Sequence, residues 1–202
     1  MQRTQRDCDF CVPRGVWSKL MIEMNGDYFY PTVLSEFTNM KTADALRMTL
    51  DASAKVLTAY LADFSDADMF VRPHTGANHT AWQFGHLIAS ERSMMEAVKA
   101  GSSPALPAGF SEAHKKETAT SNEQSKFFTR KVYLDLFMAQ RAATLHLLET
   151  MSDSDFDKAS PADFKNWAPT FGAMFSGAGT HVLMHVGQVA IVRRILNKPI
   201  VI

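Results

Sequence analysis

The chain has 202 residues, enough for one domain with a substantial core. Its 21 Lys and Arg balance 21 Asp and Glu for a formal charge of +0, which argues against a broad electrostatic footprint for nucleic acid or an acidic membrane surface. Apolar residues make up 46%, yet no uninterrupted apolar run approaches the roughly 20 residues that span a bilayer, so a soluble protein with no membrane partner is expected.

Residues 1–40 show weak periodicity and several aromatic side chains, among them Trp17, Tyr28, Phe29 and Tyr30, and read as an N-terminal arm of uncertain order, a short helix near Val16–Met24, or residues ahead of the true start. The opening M-Q-R-T-Q-R-D-C-D-F-C has no hydrophobic stretch of the signal-peptide kind, which points to the cytoplasm. Cys8 and Cys11 are the only cysteines. A single C-x-x-C with no second pair and no βαβ pattern around it reads as two ordinary thiols rather than a zinc half-site or a redox pair.

From residue 41 to 202 the pattern is that of one helical domain. Thr42 is a plausible N-cap, and Leu46, Leu50, Leu57 and Leu61 recur at helical spacing. Pro73 and Gly76 end that helix. Asn78 is placed to cap a second helix through A-W-Q-F-G-H-L-I-A-S-E-R, closed by Gly101 and the prolines that follow. A long polar segment runs to about Lys126, of a length that is functional, disordered or partly helical. A third helix begins near Thr129, and a fourth runs from about Thr170 to Leu196 before N-K-P. Strand signals are scarce, so an all-α four-helix bundle is expected.

His181 and His185 lie one turn apart on the fourth helix, about 40° around its axis, and Gln188 falls on the same stripe. Such a pair directs two ring nitrogens at one point, as a borderline-soft metal requires, although the spacing alone is equally that of two hydrogen-bonded imidazoles. His86, on the second helix among large apolar residues, offers a third donor; Gly85 beside it would let another helix approach closely. Gln83, His86 and Ser90 share a stripe. Three histidines from two facing helices leave positions open for water or substrate. His74, His79, His114 and His146 are expected in surface or capping roles, with His79 placed to reach the mouth of the same site. Asp68, Glu96 and Glu112 read as solvated charges, so no catalytic acid or base is identified. Arg193, Arg194 and Lys198 suit the end of a helix and are candidates for receiving an anionic substrate.

N-H-T-A-W-Q-F-G-H-L-I-A-S-E resembles the second-helix signature of the DinB-like (YfiT-like) superfamily. H-V-L-M-H-V-G-Q-V-A-I-V-R-R-I-L-N-K-P resembles its fourth-helix signature, and P-A-L-P-A-G-F its proline-rich loop. The similarity covers about residues 42–199. It implies an up-down-down-up bundle, often dimeric, so a homodimer is expected, with a divalent metal on His86, His181 and His185. Zinc or nickel suits that donor set first, iron or manganese second. Gln188, Gln83, Glu91 and His79 are candidates for orienting the imidazoles or lining the pocket, although Glu91 also suits a solvated position or a partner for Arg92. Because the superfamily includes metal-dependent hydrolases and thiol-dependent S-transferases, the resemblance implies a small-molecule substrate. The leading expectation is hydrolysis by a metal-activated water. The alternatives are S-transfer with a low-molecular-weight thiol, or a non-catalytic, stress-related metal-binding module.

Overall fold

The computed structural model describes residues 40–201. The arm expected over residues 1–40, with Cys8, Cys11 and its aromatic residues, lies outside the described residues except for Met40. The described residues are all-helical, with no strand and one isolated bridge between Ala159 and Thr170. No helix among them is long and apolar enough to cross a membrane.

The first helix, α1 (Thr42–Leu61), buries Leu50, Leu57 and Leu61 from the predicted stripe. Thr42 is its first helical residue rather than its cap. Lys41 holds the cap position, and its backbone N–H donates to Asp44 Oδ2 at 3.2 Å. The second helix, α2 (Thr80–Val98), starts one residue later than Asn78 would set it. His79 Nδ1 accepts the Trp82 N–H at 3.0 Å, while the Asn78 carbonyl takes a bond from Gln83 Nε2 at 2.7 Å.

The long polar segment is built into the domain. It contains α3 (Phe110–Ala113) and 3₁₀ turns at Lys116–Thr118 and Gln124–Lys126, and it buries Phe110 and His114. Arg72 fastens it by donating to the carbonyls of Ala119 and Ser121 and to Asn122 Oδ1. Then come α4 (Arg130–Glu149), α5 (Asp153–Phe156) and α6 (Phe171–Ile195). Thr129 and Thr170 cap α4 and α6, accepting the N–H of Val132 and Ala173 respectively.

Contacts between the long helices have a consistent order. Thr49 meets Gly179 and Tyr60 meets Arg193, so α1 and α6 run the same way. A Cβ on Gly179 would lie 2.8 Å from Thr49 Cγ2, which is why the two helices can approach there. Arg141 on α4 reaches Ser53, and Arg130 reaches Leu61, so α4 runs against α1. Along α2, Phe84 packs on Tyr133 and Phe137 while Glu91 meets Arg141, so α2 and α4 share a direction.

Two apolar clusters form the core. One includes Leu57, Leu61, Phe84, Ile88, Phe137, Val182 and Val189; the other includes Leu50, Met94, Met95, Leu147, Met174 and Phe175. Between them along the helices lies a buried polar layer. Arg141 Nε and Nη2 donate to the two Glu91 oxygens at 2.9 and 2.8 Å, Thr144 Oγ1 donates to Glu91 Oε1 at 2.8 Å, and Arg141 Nη1 donates to Ser53 Oγ at 2.9 Å and to the Leu50 carbonyl. Both charged side chains are only 2% exposed. Every strong donor and acceptor must be matched at that depth, and here one guanidinium ties three helices together.

The cations near the end of α6 also have structural work. Arg193 is buried and donates to the Tyr60 and Pro199 carbonyls and to the Asp63 carboxylate. Lys198 donates to the Asp63 carbonyl and lies 3.3 Å from Asp68. Asp68 also accepts the Ser65 N–H at 2.8 Å, so it is not a freely solvated charge.

Candidate metal centre

His86 on α2 faces His181 and His185 on α6, with ring centroids 5.1 and 5.6 Å away. One ring nitrogen from each of the three lies within 4.8 Å of the other two. The Nε2 atoms of His181 and His185 are 3.2 Å apart. That separation matches two nitrogens each about 2.0–2.1 Å from a shared ion at an angle of roughly 100°.

The surrounding bonds fix which nitrogen of His185 is free. Gln83 Nε2 is committed to the Asn78 carbonyl, so Gln83 Oε1 faces His185 and accepts from Nδ1 at 3.0 Å. Nδ1 therefore carries the proton, and the Nε2 lone pair points at His181. Burial is the main cause that lowers all three imidazoles, to about 4 for His181 and about 3 for His185, where charge on the neighbouring histidines adds to the effect. At neutral pH the cluster offers uncharged imidazoles. The 3.2 Å contact is satisfied either by a proton on His181 Nε2 or by a cation between the two nitrogens, and three uncharged imidazoles are a donor set that fits a divalent ion of the zinc or nickel kind.

Two residues outside the sequence-based candidates lie beside His86. Trp82 stacks on its ring at a centroid distance of 5.0 Å and an interplanar angle of 7°. The indole N–H bonds to the Lys115 carbonyl and Thr118 Oγ1, both at 3.2 Å, so the loop orients the indole and the indole orients the imidazole. Its position one turn before His86 is a signal that spacing alone could have supplied. The second residue is His114, expected at the surface and in fact 3% exposed. Its Nδ1 donates to the Phe110 carbonyl at 2.6 Å, and its Nε2 accepts from the Tyr133 hydroxyl at 2.8 Å. The Tyr133 oxygen in turn accepts the Phe128 N–H at 3.3 Å. Burial lowers His114 to about 4 and raises Tyr133 well above its ordinary range. The His114 backbone acts on His86 in the opposite sense to burial. Gly85 makes room for this imidazole rather than for a neighbouring helix: a Cβ there would sit 2.1 Å from His114 ring atoms.

The remaining candidates divide clearly. Gln83 touches the cluster. Gln188, one turn beyond His185, is half-buried and makes no side-chain hydrogen bond among the described residues. Glu91 is neither solvated nor paired with Arg92; it belongs to the buried Arg141 layer, because its position carries it to the α4 side of α2. His79 is fully buried and caps α2, packed between Phe70 and Phe127, and it does not line the cleft. His74 and His146 are exposed.

His86 and His181 form part of the wall of an open cleft of about 1170 Å³ between α2 and α6. Ser90, Arg92 and Glu96 continue the α2 wall, Ser176 and Thr180 the α6 wall, and Trp167 with Phe164 covers one side. Glu96 is not free to act as a base. Its two oxygens accept the N–H groups of Gly101 and Ser103 at 2.9 and 2.8 Å, which holds its carboxyl below the usual range.

The sequence model of the DinB superfamily matches residues 49–189, a span that contains all three histidines, the whole of α2 and most of α6. No curated protein matches the chain.

Proposed function

The chain belongs to the DinB superfamily, and from that premise we propose that it is a metal-dependent hydrolase of small molecules, with His86, His181 and His185 as the ligands of a divalent ion. The observation that carries the proposal is the convergence of one ring nitrogen from each histidine, within 4.8 Å, at the wall of a cleft. When bound there, zinc, nickel, iron or manganese supplies Lewis acidity that lowers the proton affinity of a coordinated water or thiol.

The chain's own residues do the positioning. Gln83 holds His185 in the tautomer that presents Nε2, and Trp82 fixes the plane of His86. The cleft admits substrate from the open side of the three nitrogens. Hydrolysis of an ester or amide breaks the acyl C–O or C–N bond; the acyl carbon gains the hydroxyl of water and the leaving atom takes its proton. With Glu96 committed to the loop, no carboxylate of the cleft is assigned as a general base. Transfer of a group to a low-molecular-weight thiol is the second reading. It is favoured by the cleft volume of about 1170 Å³, which exceeds the roughly 300–1,000 Å³ of a single-ligand pocket and leaves room for a thiol beside an acceptor.

We further propose that residues 41–202 form one up-down-down-up four-helix domain behind an N-terminal arm. The contact order of α1, α2, α4 and α6 supports this arrangement. A homodimer is proposed as well, with Met184, Ile191 and Ile195 supplying an exposed apolar stripe on α6.

Metal analysis of the purified chain and of His86→Ala and His181→Ala tests the centre. Roughly one ion per chain is expected, with affinity lowered at least about tenfold in each variant. Undiminished metal in both variants would sink the proposal. Ester and amide panels run against electrophile-plus-thiol panels then separate hydrolysis from S-transfer. Metal without turnover in either favours a binding module.

A further inference from the structure

The structure also points to the chemistry of the substrate. We propose that Arg92 is a specificity residue that receives a carboxylate. The cleft then takes carboxylate-bearing esters or amides whose apolar body lies on Trp167 and Phe164 and whose scissile group reaches the histidines. This deepens the hydrolase proposal and rests on it.

The other cation of the cleft wall, Lys115, lies 3.4 Å from Glu112, and Arg193 and Lys198 at the far end of α6 are bonded within the fold. Arg92 differs. It is half-buried in the cleft wall, and its Nε is fixed by the Pro104 carbonyl at 3.1 Å, yet neither of its Nη atoms has a hydrogen-bond partner among the described residues. A guanidinium held by one edge with its remaining nitrogens uncommitted is prepared for a planar oxyanion, for which two parallel N–H···O bonds provide both strength and direction. Glu96, the acidic side chain in the same wall, feels the Arg92 charge, but its two oxygens are turned to backbone N–H groups of the loop and it makes no salt bridge with Arg92. The hydroxyls of Ser90 and Ser93 on the same helix also have no partner among the described residues and supply further polar contacts.

The apolar half of the cleft is equally specific. Trp167 is 54% exposed and presents its indole to the cleft beside Phe164. It is seated against α6 at Gly177, where a Cβ would come within 2.7 Å of the indole, and its ring meets Phe164 edge-on at 6.0 Å. Arg92 follows His86 by six residues, about 9 Å along the helix, so the carboxylate and the scissile group of the substrate are separated by several bonds.

Calorimetric titration of the full chain at pH 8 with 6-phenylhexanoate and with its primary amide tests the assignment. The acid is expected to bind at least about tenfold tighter than the amide. In Arg92→Met that preference falls to about one, because acid binding weakens while amide binding persists; in Arg92→Lys part of it returns. Trp167→Ala weakens both ligands alike. Unchanged amide affinity in Arg92→Met shows that the cleft is intact, and Arg92→Gln serves if the methionine variant does not fold. Equal affinity for acid and amide overturns the proposal, as does an acid preference that survives removal of the guanidinium. So does the absence of saturable acid binding up to about 5 mM. Metal content is read in the same preparations. An Arg92-dependent acid preference in a chain that binds no metal overturns the hydrolase proposal and supports the anion site.

Discussion

Gly85 shows how one missing methyl organises the site. Its Cα faces the His114 imidazole, and the ring fills the space a side chain would take. Gly85→Ala is therefore expected to push the ring off its bonds to Phe110 and Tyr133 and to cost about 1–3 kcal/mol of stability. Urea unfolding would measure this, and the same change made in a His114→Ala background should cost clearly less. If the two substitutions simply add, the glycine is not there for the imidazole. His114 was hard to read from the sequence because Lys115 and Lys116 follow it, and a polar neighbourhood suggests a surface. Its burial depends on Phe110, Phe127 and Tyr133 arriving from three separate segments. Gln188 and Gln83 teach the same lesson from the other side. Helical spacing puts Gln188 on the histidine stripe, but only the approach of α2 decides that Gln83 is the amide that meets His185.

At the level of elements, the helices were largely legible because local chemistry marks their ends. Thr129 and Thr170 cap α4 and α6 near where the hydrophobic period begins. The helix starts after His79 rather than Asn78 because His79 Nδ1 accepts the Trp82 N–H, while the Asn78 carbonyl is taken by Gln83. The Glu91–Arg141 layer was not legible, since its partners are 50 residues apart and each resembles an ordinary surface charge. Its energetics are asymmetric. Arg141→Met leaves a buried carboxylate unpaired and is expected to cost about 3–5 kcal/mol, whereas Arg141→Met with Glu91→Leu should recover most of that loss. Denaturant midpoints of the three proteins check the point, and a double variant no more stable than the single one would contradict it. The layer also sets a register, because it meets its own partners only when α1, α2 and α4 align at Ser53, Glu91 and Arg141.

For the whole molecule, buried histidines make stability depend on acid. His79 is fully buried, and burial, with the Arg72 charge adding, lowers it to about 4 from an ordinary 6.5. The unfolded chain takes up this proton at higher pH than the folded one. The contribution of His79 is thus complete above about pH 6.5 and is lost as pH falls toward 4, by as much as roughly 3 kcal/mol. His79→Asn keeps a capping oxygen and removes the titration, so its stability should fall less steeply across that window in pH-dependent thermal melts. An unaltered slope would mean that other groups dominate the acid response. The α1–α6 pairing has a further consequence, for the order of events during synthesis. These partners are the first and last long helices of the described chain, and His86 leaves the ribosome some 95 residues ahead of His181. The nascent chain therefore cannot assemble three imidazoles around an ion until α6 has emerged and docked. At the proposed metal centre, ion binding would then be one of the closing events of maturation rather than a template for folding.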